Sequence, residues 1–174
     1  MTLILGIDPG SRATGYGVIE SVGNRLKYVG CGCIRPTPGD HPARLKDIFR
    51  QLSSVIEEYS PQECAIEEVF LGKSVSSALK LGQARGAAMV ACLHADLPVA
   101  EYPARTIKQS VTGSGAADKS QVQHMVRVLL GLQGKLQADA ADALAIAICH
   151  ANTRVSMIKM SAASGFSRRR FQGL

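Results

Sequence analysis

Leu3-Ile4-Leu5-Gly6-Ile7-Asp8-Pro9-Gly10 sets the frame for the chain. An unbroken apolar run closed by Pro-Gly reads as a strand buried on both faces. Its last residue, however, is an acid. The same oddity recurs twice: Glu67 ends Cys64-Ala65-Ile66, and Asp139 and Asp142 open the Ala-rich stretch from Ala138 to Ile146. An unpaired carboxylate in low-dielectric surroundings is costly and normally takes up a proton. Acids from three distant segments, each in an apolar setting, imply a cation that holds them together.

Outward from that strand, Tyr16–Ile19 and Lys27–Ile34 read as two more, joined by a turn at Gly23-Asn24. Pro36, Pro38, Gly39 and Pro42 break the chain before an amphipathic helix through Leu45, Ile48, Leu52, Val55 and Ile56. A short strand ends at Glu67. A long helix rich in small residues runs from Ser74 to Leu93, and Pro98–Tyr102 is the fifth strand. A short helix near 105–111 precedes the loop Thr112-Gly-Ser-Gly-Ala-Ala117. Asp118 then caps a helix, with Gln121 completing a capping box. The last core helix spans about Ala138 to Asn152. Three leading strands form an antiparallel meander, and the strands separated by helices add in parallel. The expected fold is a mixed five-stranded α/β sheet with helices on both faces. One domain over residues 1–155 and a basic, flexible tail over 156–174 are expected.

The formal net charge is +6, unevenly spread. Residues 151–174 hold Arg154, Lys159, Arg168, Arg169 and Arg170 and no acid. The first 150 residues carry 15 basic and 14 acidic side chains, so setting the four carboxylates aside leaves a basic surface. That balance suits a polyanion such as nucleic acid. The five cysteines lack zinc or thioredoxin spacing and read as reduced structural thiols. No secretory h-region or long apolar run occurs, so a soluble, cytoplasmic protein is expected.

Asp139 and Asp142, three apart at a helix start, share a face and meet the positive end of its dipole. If the strands ending in Asp8 and Glu67 are neighbours, their side chains converge at one rim. Four carboxylates without His or Cys are hard oxygen donors, suited to Mg²⁺ or Mn²⁺ rather than Zn²⁺. Two such ions about 3.5–4 Å apart serve in-line phosphoryl displacement. Taken singly, Asp8-Pro9-Gly10 is an ordinary turn, Asp139 an ordinary helix cap, and Glu67 or Glu68 an ordinary strand-end charge. Their joint occurrence favours a metal site.

The runs Gly6-Ile-Asp-Pro-Gly-Ser11, Ala65-Ile-Glu-Glu-Val-Phe70, Ser77-Ala-Leu-Lys-Leu-Gly-Gln-Ala-Arg-Gly86, Asp118-Lys-Ser-Gln-Val122 and Ala138-Asp-Ala-Ala-Asp-Ala143 resemble the RuvC family of bacterial Holliday junction resolvases. The resemblance covers residues 3 to about 152. It implies an RNase H-like fold and a homodimeric, Mg²⁺-dependent endonuclease of recombination and repair. Such enzymes nick a four-way DNA junction symmetrically, within a short T-rich sequence, in cooperation with the RuvA–RuvB motor. Asp8, Glu67, Asp139 and Asp142 are then the catalytic metal ligands, with two Mg²⁺ per site and Mn²⁺ as a substitute. The resemblance also selects Glu67 over Glu68.

Beside the carboxylates, Phe70 is a candidate for stacking on an unpaired base, worth about 1–3 kcal/mol. Lys108 and Lys119 flank the Gly-Ser-Gly loop. Lys119 opens a helix, where the dipole disfavours a cation; a solvated surface lysine is the commoner explanation in general, and the resemblance supports phosphate contact. Lys73, Lys80 and Arg85 are further candidates for the DNA-facing surface. Two other classes compete with this one. A lobe of an actin or sugar-kinase type ATPase needs a second lobe and a second glycine-rich phosphate loop, both missing here. A non-catalytic junction binder would gain nothing from four acids that repel phosphate.

Overall fold

The computed structural model describes residues 1–68 and 74–169, the last eight as backbone alone. Strands β1 (Thr2–Asp8), β2 (Thr14–Val22) and β3 (Arg25–Ile34) form the expected meander. They are followed by α1 (His41–Tyr59), β4 (Glu63–Glu67), α2 (Val75–His94), β5 (Val99–Tyr102), α3 (Ala104–Thr112), α4 (Lys119–Leu130) and α5 (Ala138–Arg169). The sheet order is β3-β2-β1-β4-β5, with β4 parallel to both β1 and β5. Strands one and four are therefore neighbours, and Asp8 and Glu67 end them on the same side of the sheet.

Helices α1 and α2 cover one face through Ile48, Leu52, Ala84 and Ala88 against Leu5, Ile7 and Ile66. Helices α3, α4 and α5 cover the other. Residues 143 to 149 of α5 are buried without interruption. A helix apolar all round belongs in the interior, and α5 lies between the sheet and the pair α3 and α4. Each fully buried isoleucine, such as Ile146 and Ile148, contributes roughly 1.5–3 kcal/mol. Farther along α5, His150 Nε2 meets Glu63 Oε2 at 2.6 Å, its Nδ1 meets Tyr102 Oη at 2.8 Å, and Arg154 Nε meets Glu63 Oε2 at 2.9 Å. This network ties α5 to β4 and β5.

Two local features depart from the sequence reading. Pro42 lies inside the first turn of α1, behind the Asp40 cap, where a missing N–H costs nothing. Helix α5 continues past Asn152 to Arg169 rather than stopping there.

Glycines decide how closely α5 approaches the sheet. Gly6 and Gly17 are directly paired, and Gly15 pairs with Asp8. A Cβ on Gly6 would sit 2.1 Å from the Ala143 carbonyl oxygen, and one on Gly15 would sit 2.0 Å from that of Asp139. Gly6→Ala therefore forces α5 outward, and we expect a loss of about 3 kcal/mol. A urea-unfolding midpoint equal to wild type would show that α5 can yield at no cost.

Candidate active site

The contact at Gly15 brings the first turn of α5 against the end of β1. Asp139 and Asp142 thereby reach the rim that Asp8 and Glu67 occupy. All four carboxylates are half-buried. Asp8 is pushed up to about 7, first by burial, then by the charges of Asp142, Glu67 and Asp139, with Lys119 opposing. Glu67 is raised for the same reasons, by burial and by Asp142, against Lys108 and Lys119. Four acids drawn from β1, β4 and α5 thus share one electrostatic site. Each stands out separately in the sequence, and the fold brings them together.

Lys119 is the cation that meets this cluster. Its Nζ lies 2.8 Å from Asp142 Oδ2, and that bond raises the ammonium above its ordinary value. The preceding cap explains its placement. Asp118 Oδ1 accepts from the Gln121 N–H at 2.9 Å and from Ser120 Oγ at 2.7 Å, while Gln121 Oε1 accepts from the Asp118 N–H. The expected capping box is complete and fixes the first turn of α4 on which Lys119 stands. Its hydrogen bonds hold the Asp118 carboxyl below its ordinary value.

A cavity of about 210 Å³ opens beside the acids, lined by Glu67, Lys108, Lys119 and Asp142 with an apolar floor that includes Ile107 and Val122. Lys108 comes from α3 and Lys119 from α4, so the Gly-Ser-Gly loop between them carries two cations to one mouth. Lys80 is exposed on α2. Arg85 is turned into the fold: its Nε donates to the Glu67 carbonyl oxygen at 3.0 Å and its Nη2 pairs with Glu101. Phe70 and Lys73 lie outside the described residues.

One contact escapes the sequence reading. Cys33, expected to be a structural thiol, lies with Sγ 3.5 Å from Asp139 Oδ2. Burial and that carboxylate push the thiol up. The alternation in Cys31-Gly-Cys33 places both thiols on one face, but nothing in the sequence links that face to Asp139.

The donor set fits a divalent metal in kind: four hard carboxylates, whose mutual charge adds to burial in raising Asp8, a cost that a cation would relieve. Among the described residues no three His, Cys, Asp or Glu groups stand in a metal-holding arrangement, and Asp142 is engaged by Lys119. Among the described residues, too, no helix is long and apolar enough to cross a membrane.

Comparison with known proteins identifies the family. The sequence model of the family described as "Crossover junction endodeoxyribonuclease RuvC" matches residues 4–150. A crossover junction endodeoxyribonuclease RuvC of Photobacterium profundum is 63% identical over 169 residues, covering 97% of this chain and 98% of the relative. The structure of Thermus thermophilus RuvC in complex with a Holliday junction substrate superposes with a TM-score of 0.83 at 32% identity, covering 90% of this chain and 96% of that one. The yeast mitochondrial Holliday junction resolvase shares the fold, with a TM-score of 0.64 at 13% identity, covering 92% of this chain and 85% of that one. The expected RNase H-like architecture is therefore the observed one. With the family model spanning residues 4–150 and a relative 63% identical over nearly the whole chain, the chain belongs to the crossover junction endodeoxyribonuclease RuvC family.

Proposed function

We propose that this chain resolves four-way DNA junctions by hydrolysing a phosphodiester bond at the rim formed by Asp8, Glu67, Asp139 and Asp142. The observation that carries this reading is the meeting of four acids from β1, β4 and α5 beside two lysines, in a chain of this family. The four carboxylates would hold Mg²⁺, or Mn²⁺ in its place. Bound there, a pair of ions supplies an activated water and charge for the leaving oxygen. Lys108 and Lys119 would face the phosphate at the cavity mouth and offset its charge. A cation among the acids would also bring Asp8 back down, since it would offset the neighbouring charges that add to burial in raising it.

Junction resolution calls for two nicks related by a two-fold axis, and a symmetric pair of chains supplies two sites. Helix α2 offers the surface. Val75, Leu79, Val90 and Leu93 are 72%, 64%, 54% and 54% exposed and fall on one stripe. Gly82 and Gly86 lie within the stripe, with no atom within 4 Å of a Cβ built on either. Such a stripe is unusual on a solvated helix and fits close approach of a second copy. Cooperation with RuvA–RuvB is retained as the partner that the family resemblance implies.

The direct test incubates the protein with a synthetic four-way junction and with linear duplex, each with and without Mg²⁺. We expect paired incision of the junction alone, and only with the ion; equal cutting of duplex would overturn the assignment. Asp8→Asn should bind the junction but cleave it at least about a hundredfold more slowly. The same variant tests the crowding. A carboxyl whose folded value exceeds its unfolded one stabilises the fold at low pH, and that stability is lost as pH rises through the folded value. In chelator, wild type should thus weaken between about pH 4 and pH 7, and the Asn variant should show a shallower slope in thermal melts, with the part due to Glu67 remaining. Lys119→Ala should flatten the salt dependence of junction binding by about one phosphate contact; an unaltered slope would leave Lys119 as a partner of Asp142 only. Leu79→Asp should shift sedimentation from dimer to monomer, and a dimer that survives it places the pairing face elsewhere.

A further inference from the structure

Two hydrogen bonds fix the peptide unit that follows Glu67. Its N–H, that of Glu68, donates to the Tyr102 carbonyl at 2.9 Å. Its C=O, that of Glu67, accepts from Arg85 Nε at 3.0 Å. In a trans peptide these groups point in opposite directions, so the plane is held from both sides. Holding it fixes ψ of Glu67 and, with the β1 and β5 ladders behind it, the direction in which the carboxylate leaves the strand. Strand pairing supplies only the N–H half: the carbonyl faces β1, whose pairing with β4 stops at Ile7 and Ile66, one residue short of Glu67.

Arg85 is suited to the other half. Its side chain is 19% exposed, and Glu101 on β5 accepts from Nη2. A planar guanidinium bound to a carbonyl and a carboxylate at once has little freedom, and charge-assisted bonds are the stronger kind. One side chain of α2 therefore clamps the ends of β4 and β5. It is also a poor phosphate contact, since Glu101 already offsets its charge. The exposed Lys80 on the same helix has no such engagement among the described residues.

We infer that Arg85 is a positioning residue for Glu67, acting through the Glu67 carbonyl, rather than a contact to DNA. The inference rests on the proposed reading of Glu67 as a metal ligand. Its consequence is that metal affinity depends on a guanidinium that touches neither ion nor substrate. Outer partners of metal ligands typically change affinity 10–100-fold.

The test titrates Mg²⁺ into the DNA-free protein and follows the rise in melting temperature, alongside the salt slope of junction binding. Arg85→Gln and Arg85→Lys should each raise the half-saturating Mg²⁺ concentration by about tenfold while leaving the salt slope at the wild-type value. Lysine keeps the charge but cannot serve both acceptors in the plane of the fork, so it should not rescue. An unchanged Mg²⁺ midpoint in both variants overturns the inference. So does a salt slope that drops in Arg85→Gln and returns in Arg85→Lys, which would make Arg85 a phosphate contact. Glu67→Gln separates the two levels: if it leaves the Mg²⁺ midpoint unmoved, the reading of Glu67 as a ligand falls. If it moves the midpoint and the Arg85 variants do not, only the positioning role falls. Should Arg85→Gln fail to fold, Glu101→Gln, which frees one arm of the guanidinium, carries the same comparison and should shift the midpoint in the same direction by a smaller factor.

Discussion

Everything at the acidic rim depends on a patch of sheet without side chains. Gly6 and Gly17 face each other across β1 and β2, and Gly15 stands opposite Asp8. Into that patch α5 sets its own backbone: the Asp139 and Ala143 carbonyls occupy the volumes that Cβ atoms on Gly15 and Gly6 would fill. The helix can settle this deeply because Ala143 and Ala147, against Gly6, are themselves small, and Gly17 leaves room for Leu144. A helix resting on ordinary side chains would stand farther off. The first turn of α5 would then carry Asp139 and Asp142 away from Asp8. Packing geometry, rather than any direct attraction among the acids, assembles the site.

That assembly works against local electrostatics. Burial and three neighbouring charges raise Asp8 to about 7, and Glu67 is raised for related reasons. The surrounding core offsets the penalty with an uninterrupted buried segment of α5, the apolar faces of both layers, and the Tyr102–His150–Glu63–Arg154 network that anchors the helix at its far side. The anchor lies beyond the rim, so the part of α5 that bears charge is held from a distance by parts that do not. Strained or charge-crowded groups persist only where the scaffold around them over-determines their positions.

The elements are legible because the chain marks them plainly. Buried strands show as apolar runs, and Asp118 with Gln121 announces the start of α4. The four acids stand out because each interrupts an apolar pattern, a conflict that no local preference resolves. What escapes are contacts made to backbone atoms or across long separations. The Cys33 thiol meets Asp139 across 106 positions, and Arg85 meets a carbonyl that every residue type provides. Charge on a predicted helix suggests a surface role for Arg85, since sequence shows that an arginine is present and not that Glu101 stands ready to pair with it. Helix α5 runs past its expected end for a related reason. Ser and Gly lower helical preference, yet a helix already nucleated and anchored upstream extends at little cost per residue.

Lys119 shows how one cation can serve two partners. It opens α4, where the helix dipole disfavours positive charge, and Asp142 near the start of α5 compensates at 2.8 Å. Both helix starts point toward the same rim, one bearing the acid and the other the base. On the proposed reading, a divalent ion competes with Lys119 for Asp142, and a phosphate competes with Asp142 for Lys119. Each arrival weakens the pair and so favours the other, a coupling that must be reciprocal because both act through one bond. Metal and DNA would then bind cooperatively without movement of the sheet, since only two side chains at its rim exchange partners.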